Sequence, residues 1–295
     1  MRLLALFLAA VCLQAQDQKT VTIQTLNVKD ILYVLSGGGG NSLALMRDDG
    51  VVLIDTKQFG WGRPLLEAIG AVSDQPVKII VNTNADPDHS GGNAEIPGSP
   101  RIIAHQKTKA YLEARGVNPK FLPTETVTDK LSLLDGPDRM EIYYFGRAHT
   151  DGDLVVVFPE KHVAYLGDLF PSKAAPVIDV DHGGSAVEFP RTLARVIAEI
   201  KGVARVITGH DQGTVNPLDR GYYNNPKTSR WSDVQEYADF NRDFLAAIQE
   251  AMQSGKTAEQ AAATLRLPEK YKGYDMSQAK SNVESIYAES KFRAR

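Results

Sequence analysis

Four side chains able to donate to a metal, Asn84, Asp86, Asp88 and His89, fall within six residues of the stretch V-N-T-N-A-D-P-D-H-S-G-G-N at 81–93. They follow an apolar run at 77–81 that reads as a buried strand, so the donors gather where a strand ends. Carboxylates and imidazoles together suit zinc, iron or manganese. The only cysteine, Cys12, lies in an N-terminal apolar segment, so any metal bound elsewhere takes nitrogen and oxygen ligands. Plainer readings stand beside this one. Asp88 could cap a helix opened by Ser90-Gly91-Gly92, and Asp86-Pro87 could be an ordinary turn.

The elements that must position these residues follow from the alternation of short β-branched runs with amphipathic stretches and Gly or Asp turns, which marks α/β layering. Strands are predicted at 21–26, 31–35, 43–46, 51–55, 77–82, 101–104, 141–145, 154–158, 162–166 and 203–208, and helices at 62–72, 106–114 and 186–200. Two halves of similar make-up, divided near residue 120, suggest a duplicated sandwich. Beyond Asn224-Asn225-Pro226 the pattern turns helical: 232–253 places Val234, Tyr237, Phe240, Phe244 and Ile248 on one face, Thr257 with Gln260 reads as a capping box, and a last helix is predicted at 276–292. The expected organisation is an α/β body over 16–218 and a helical extension over 219–295 packed on it. The run Gly37-Gly38-Gly39-Gly40 is not followed by Gly-Lys-Ser/Thr, so it reads as a tight turn beside the site and not as a phosphate loop.

Length and composition narrow the function. A chain of 295 residues, 43% of them hydrophobic, can bury a sizeable core. A formal charge of −3 without a basic, aromatic-interleaved stripe excludes a nucleic-acid binder by electrostatics, leaving a small-molecule substrate. Arg2, the apolar run 3–13 and Gln14-Ala15-Gln16 have the layout of a signal peptide over 1–15, which predicts a periplasmic or secreted protein with no membrane span in the mature chain. The run is too short to cross a bilayer, and the bulky Val11 argues against a lipidated Cys12.

Asn84-Ala85-Asp86-Pro87-Asp88-His89 resembles the H-x-H-x-D-H signature of the metallo-β-lactamase superfamily, with the first two histidines replaced by Asn84 and Asp86. The resemblance extends over about 20–215: G-V-V-L-I-D-T ending at Asp55-Thr56 is similar to the family's early strand, and the segments of His149, Asp168 and His210 follow in the family's order. It implies a four-layer αββα sandwich. It also implies a first metal site of Asn84, Asp86 and His149, a second of Asp88, His89 and His210, and Asp168 as the bridge. The second set is complete, whereas the first has exchanged two imidazoles for an amide oxygen and a carboxylate, a harder and for zinc a weaker set.

The implied activity is hydrolysis of a small ester, thioester, lactone or lactam through a metal-activated water, with Asp88 and Asp86 as the carboxylates nearest the chemistry. Zinc is the expected ion, held tightly in one site, with the other weak, empty or taken by a harder ion; iron or manganese would also suit the ligands. A minority reading is an oxidoreductase using iron. The alternative of another class is a non-catalytic binding protein that keeps the fold and a degenerate first site. Asp55 is expected to order the loop behind the metals through backbone hydrogen bonds, and His182 and Asp179, on a loop after Asp168, are candidates to face the pocket. His105, His162, Tyr33, Tyr143 and Tyr144 read as core or surface residues.

Overall fold

The computed structural model describes residues 19–26, 31–210 and 228–293. The expectations for the 1–15 leader, for Cys12 and for a boundary near 218 lie outside them. Two sheets form the centre. The first contains β1 (Thr22–Thr25), β2 (Leu32–Ser36), β3 (Ser42–Arg47), β4 (Gly50–Ile54), β5 (Val77–Asn82), β6 (Arg101–His105) and β7 (Glu125–Val127), in that order. The second runs β12 (Arg205–Ile207), β11 (Val163–Tyr165), β10 (Leu154–Phe158), β9 (Met140–Tyr144), β8 (Lys130–Leu133). Pairing is antiparallel from β1 to β4 and parallel from β4 to β7. In the second sheet only β11 and β12 are parallel.

Period-two patterning explains the layers. Leu43, Leu45, Val52 and Ile54 face Ile142, Leu154, Val156 and Tyr165 across the sandwich, while their neighbours Ala44, Met46, Val51 and Leu53 turn outward onto Leu65 and Ile69 of α1 (Gly62–Gly70). Because both faces are covered, β4 and β10 are apolar throughout and wholly buried. The outer face of the second sheet, with Val155, Val157, Ala164 and Val206, meets α4 (Phe189–Glu199), α5 (Trp231–Gln253), α6 (Ala258–Thr264) and α7 (Ala279–Arg293). The fold is therefore α/β, four layers in the order αββα, and the C-terminal helices complete its outer layer.

Differences from the sequence reading have local causes. The strands β7 and β8 were not anticipated: E-T-V and K-L-S-L are short and half polar, so no period-two signal rises above that of a loop. Helix α4 starts at Phe189, later than expected, because Pro190 suits its first turn and cannot extend it backward. Asp88 lies inside the short α2 (Pro87–Ser90), and the 3-10 turn that follows at Gly91–Glu95 has Ser90 at its N-cap position, which removes the plain capping reading of Asp88.

Candidate metal centre

The donors lie at or just beyond carboxyl ends of strands: Asp55 after β4, Asn84 to His89 after β5, His149 after β9, Asp168 after β11 and His210 after β12. Ligands of open α/β sheets bind at that edge. Pro87 at the start of α2 turns the chain so that Asp88 and His89 point back over the strand ends. Asp88, His89 and His210 each bring a ligand atom within 4.8 Å of the others, and so do Asp86, His149 and Asp168.

Each histidine is oriented by what its far nitrogen does. His89 is fully buried, and its Nδ1–H donates to Asp55 Oδ2 at 2.7 Å. Its Nε2 stands 3.1 Å from Asp168 Oδ2 and has no hydrogen-bond partner. A buried imidazole nitrogen left in that state, with its ring fixed by a carboxylate behind it, fits a metal ligand. His149 Nδ1–H donates to the Val177 carbonyl at 3.0 Å, which aims Nε2 at Asp86 Oδ2 (3.0 Å) and Asp168 Oδ2 (3.4 Å). His210 Nε2 lies 3.2 Å from Asp168 Oδ1 and 3.4 Å from Asp88 Oδ2, and its side chain is 44% exposed, on the open side of the cluster. Asp168 sits among all three imidazoles.

Support from behind is dense. Asp55, at φ 61°, also accepts from the Thr83 N–H and hydroxyl at 2.7 Å each and from the buried Tyr165 hydroxyl at 2.9 Å. The expectation that Asp55 orders the loop through the backbone is thus incomplete, because it also orients His89. The strand end bearing His210 is tied down by Asn41, whose N–H and side-chain amide donate to Gly209 and Thr208 carbonyls. A Cβ at Gly209 would stand 2.5 Å from Asp168 Oδ1, and one at Gly40 would stand 2.9 Å from His89 Cε1. The tetraglycine turn is therefore a close wall of the site. Lys57, also fully buried, holds that turn through the Leu35 and Gly40 carbonyls at 2.5 and 2.6 Å. Sequence reasoning missed Lys57, Tyr165 and Asn41, whose roles arise from contacts with residues distant in the chain.

The electrostatics follow from four carboxylates facing three imidazoles. Burial disfavours charge on His149, but Asp168 and the hydrogen bond to Asp86 outweigh it and push its pKa up to about 10. Burial opposes charge on His89 too, and Asp168 and Asp55 still raise it well above the ordinary value. His210 is raised by its hydrogen bond to Asp168. Burial pushes Asp168 up, yet His89 and His149 hold it well below the usual carboxylate range. Without an ion, protons on the imidazoles balance the carboxylates, and a divalent cation supplies the same charge when those protons leave.

Asn84 takes a place other than the one expected. Its Oδ1 accepts the Asp86 N–H at 3.0 Å, and its Nδ2 donates to Asp168 Oδ2 at 2.8 Å. The backbone donor fixes which end is oxygen, so without an ion Asn84 turns an N–H, and not its oxygen, toward the cluster. Of the outlying candidates, His182 and Asp179 do face Asp86: His182 Nδ1 is 3.7 Å from Asp86 Oδ1 and 2.5 Å from Asp179 Oδ2. His105 is buried and stacked on Tyr144, and burial lowers its pKa to about 4, which makes it a neutral core residue. His162 Nδ1–H donates to the Gly202 carbonyl at 2.7 Å, away from the centre.

Residues 35–210 match the metallo-beta-lactamase superfamily. The chain belongs to that family, and membership together with the clustered donors implies a divalent-metal site. It is 25% identical over 177 residues to metallo-beta-lactamase IND-1 of Chryseobacterium indologenes, which spans 58% of this chain and 72% of that protein. It is also 25% identical over 225 residues to a type 2 metallo-beta-lactamase of Elizabethkingia meningoseptica, spanning 70% and 86% respectively. Among solved structures, a metallo-beta-lactamase from Pontibacter korlensis superposes with a TM-score of 0.62 at 17% identity, over 76% of this chain and 100% of that one. The sec-alkylsulfatase Pisa1 of a Pseudomonas species superposes with 0.76 at 13% identity, over 91% of this chain and half, 50%, of that one. At these identities the structural likenesses establish the fold.

Proposed function

We propose that the protein is an exported hydrolase of a small ester, thioester, lactone or lactam, with zinc held by Asp88, His89, His210 and Asp168. The observation that carries this reading is His89: a buried imidazole with Nδ1 committed to Asp55 and Nε2 without a hydrogen bond, 3.1 Å from Asp168 Oδ2. A divalent ion in this donor set would polarise a carbonyl and lower the pKa of a bound water toward neutrality. The chain's own residues then divide the remaining work. Asp168 offers one oxygen to His210 and the other to His89, fixing the two rings relative to each other. Asp86, whose carboxyl the His149 hydrogen bond holds below its usual range despite burial, stays ionised and can accept a proton. His149 steadies that carboxylate through its Nε2, 3.0 Å from Asp86 Oδ2. The exposed flank of His210 leaves substrate an approach.

The test is turnover of an ester, thioester, lactone and lactam panel by the zinc-loaded protein. Hydrolysis that vanishes on chelation and returns with zinc supports the reading. Zinc binding without turnover of any class would favour the second reading, a binding protein; the Asn84 N–H at the family's first metal position favours it. Export is tested by N-terminal sequencing of protein recovered from the periplasm or medium, where a start near Gln16 is expected.

A further inference from the structure

We infer that the second ion of this centre has moved outward, to a site built from Asp86, Asp179 and His182, and that it is a harder cation of the manganese(II) kind. The inference rests on the proposed zinc site only for the naming of the ions, since its ligands other than Asp86 lie outside the family's motif.

Two observations weaken the family's first position as an ion site. Asn84 Nδ2–H donates to Asp168 Oδ2 at 2.8 Å, and a flip of the amide would set its NH2 against the Asp86 N–H that its oxygen now accepts. Two further observations open another position. Asp86 uses only Oδ2 for His149; its Oδ1 is buried and has no hydrogen-bond partner. That orphaned oxygen faces His182 Nδ1 at 3.7 Å, which in turn lies 2.5 Å from Asp179 Oδ2, and the three ligand atoms are within 4.8 Å of one another. Donors around one ion at metal–ligand distances of about 2.1 Å stand no more than roughly 4.2 Å apart, so Asp86 Oδ1 and His182 Nδ1 at 3.7 Å already suit one ion, while the hydrogen-bonded pair of Asp179 and His182 must open from 2.5 Å.

The loop carrying the pair is held to the first donors. Asp179 N–H donates to the His149 carbonyl, Asp151 N–H to that of His182, and Asp179 Oδ1 accepts the N–H groups of Asp181 and His182. Asp179 Oδ2 is thereby aimed at His182, sharing a proton that a cation would displace. Two carboxylates and one imidazole, with room for water on the exposed side, are a harder set than the zinc ligands, which is the ground for manganese(II). Asp86 then spans both halves of the centre, Oδ2 on His149 and Oδ1 on the outer cation.

The experiment titrates manganese(II) into full-length protein already holding one zinc ion, following free manganese by electron paramagnetic resonance. The native chain should take one further ion. Asp179→Asn keeps Oδ1 accepting the backbone N–H groups and removes the charge at Oδ2; it should weaken manganese binding at least tenfold and leave zinc content unchanged. His182→Gln should do the same, with circular dichroism and the retained zinc showing that both variants are folded. Manganese binding that is absent in the native chain, or undiminished in both folded variants, would overturn the inference. Ester and lactam turnover, read separately, decides the hydrolase proposal: its absence with the manganese results intact would sink that reading and leave this site standing.

Discussion

Asp55→Asn tests how the site is built, because it changes one atom in a carboxylate that holds four donors. Asparagine tolerates the left-handed backbone at φ 61°, so the loop should keep its path. Thr83 N–H cannot reverse its polarity, so the new amide oxygen must remain where Oδ1 accepts it. The NH2 group then faces Thr83 Oγ1, Tyr165 and His89 Nδ1, where Oδ2 had been. The two hydroxyls can rotate and accept. His89 can accept only by carrying its single proton on Nε2, the nitrogen that must be bare to bind a metal. Loss of a partner that fixes a ligating histidine typically costs about 10–100-fold in metal affinity, or about 1.4–2.8 kcal/mol. Replacing charge-assisted bonds by neutral ones should further lower the stability of the ion-free fold by about 1–3 kcal/mol. The assay is zinc competition against a chromophoric chelator, with thermal unfolding of the chelated protein alongside. A folded variant whose zinc affinity stays within twofold of native would refute the claim that Asp55 sets the tautomer of His89.

Other expectations follow from the same geometry. His210→Ala should lose most of its zinc and, with it, the stabilisation that a bound ion gives the folded state, about 4 kcal/mol at a thousandfold excess over Kd; Asn84→Ala should lose far less, and equal losses by calorimetry would show the donors misassigned. Raised imidazole pKa values stabilise the ion-free fold fully below the ordinary 6.5 and lose that contribution as pH climbs toward the value of about 10 for His149, so the unfolding temperature of chelated protein should fall from pH 7 to pH 10 and that of zinc-loaded protein should fall less. Zinc uptake at neutral pH should release protons, seen as a dependence of the calorimetric heat on buffer ionisation enthalpy. The double change Asn84→His with Asp86→His removes both the amide N–H and the bridging carboxylate, and should add one tightly held zinc while abolishing the outer manganese site; titration of the folded variant showing no added zinc would contradict this.

The layers and the candidate donor residues were legible from the chain because they depend on local pattern. The inward Leu43 and Leu45 and outward Ala44 and Met46 differ by one residue in register, and the donors Asp88, His89, His149, Asp168 and His210 each sit in a short, recognisable strand-end segment. What escaped the sequence depends on distance in space. The job of Asn84 is set by Asp168, 84 residues away, and that of Asp55 by His89 and Tyr165. No local signal separates an asparagine that offers its oxygen from one that turns its N–H inward. His182 and Asp179 were placed near the pocket by their loop, but their relation to Asp86 needs the packing of that loop on the His149 segment.

The most direct measurement is anomalous X-ray diffraction at the zinc edge from crystals of protein loaded with one equivalent of zinc. The expected result is one strong peak within about 2.0–2.2 Å of His89 Nε2, His210 Nε2 and oxygens of Asp88 and Asp168, with no peak at the Asn84 amide. A principal peak ligated by Asn84, Asp86 and His149 would contradict the assignment on which the proposed chemistry stands.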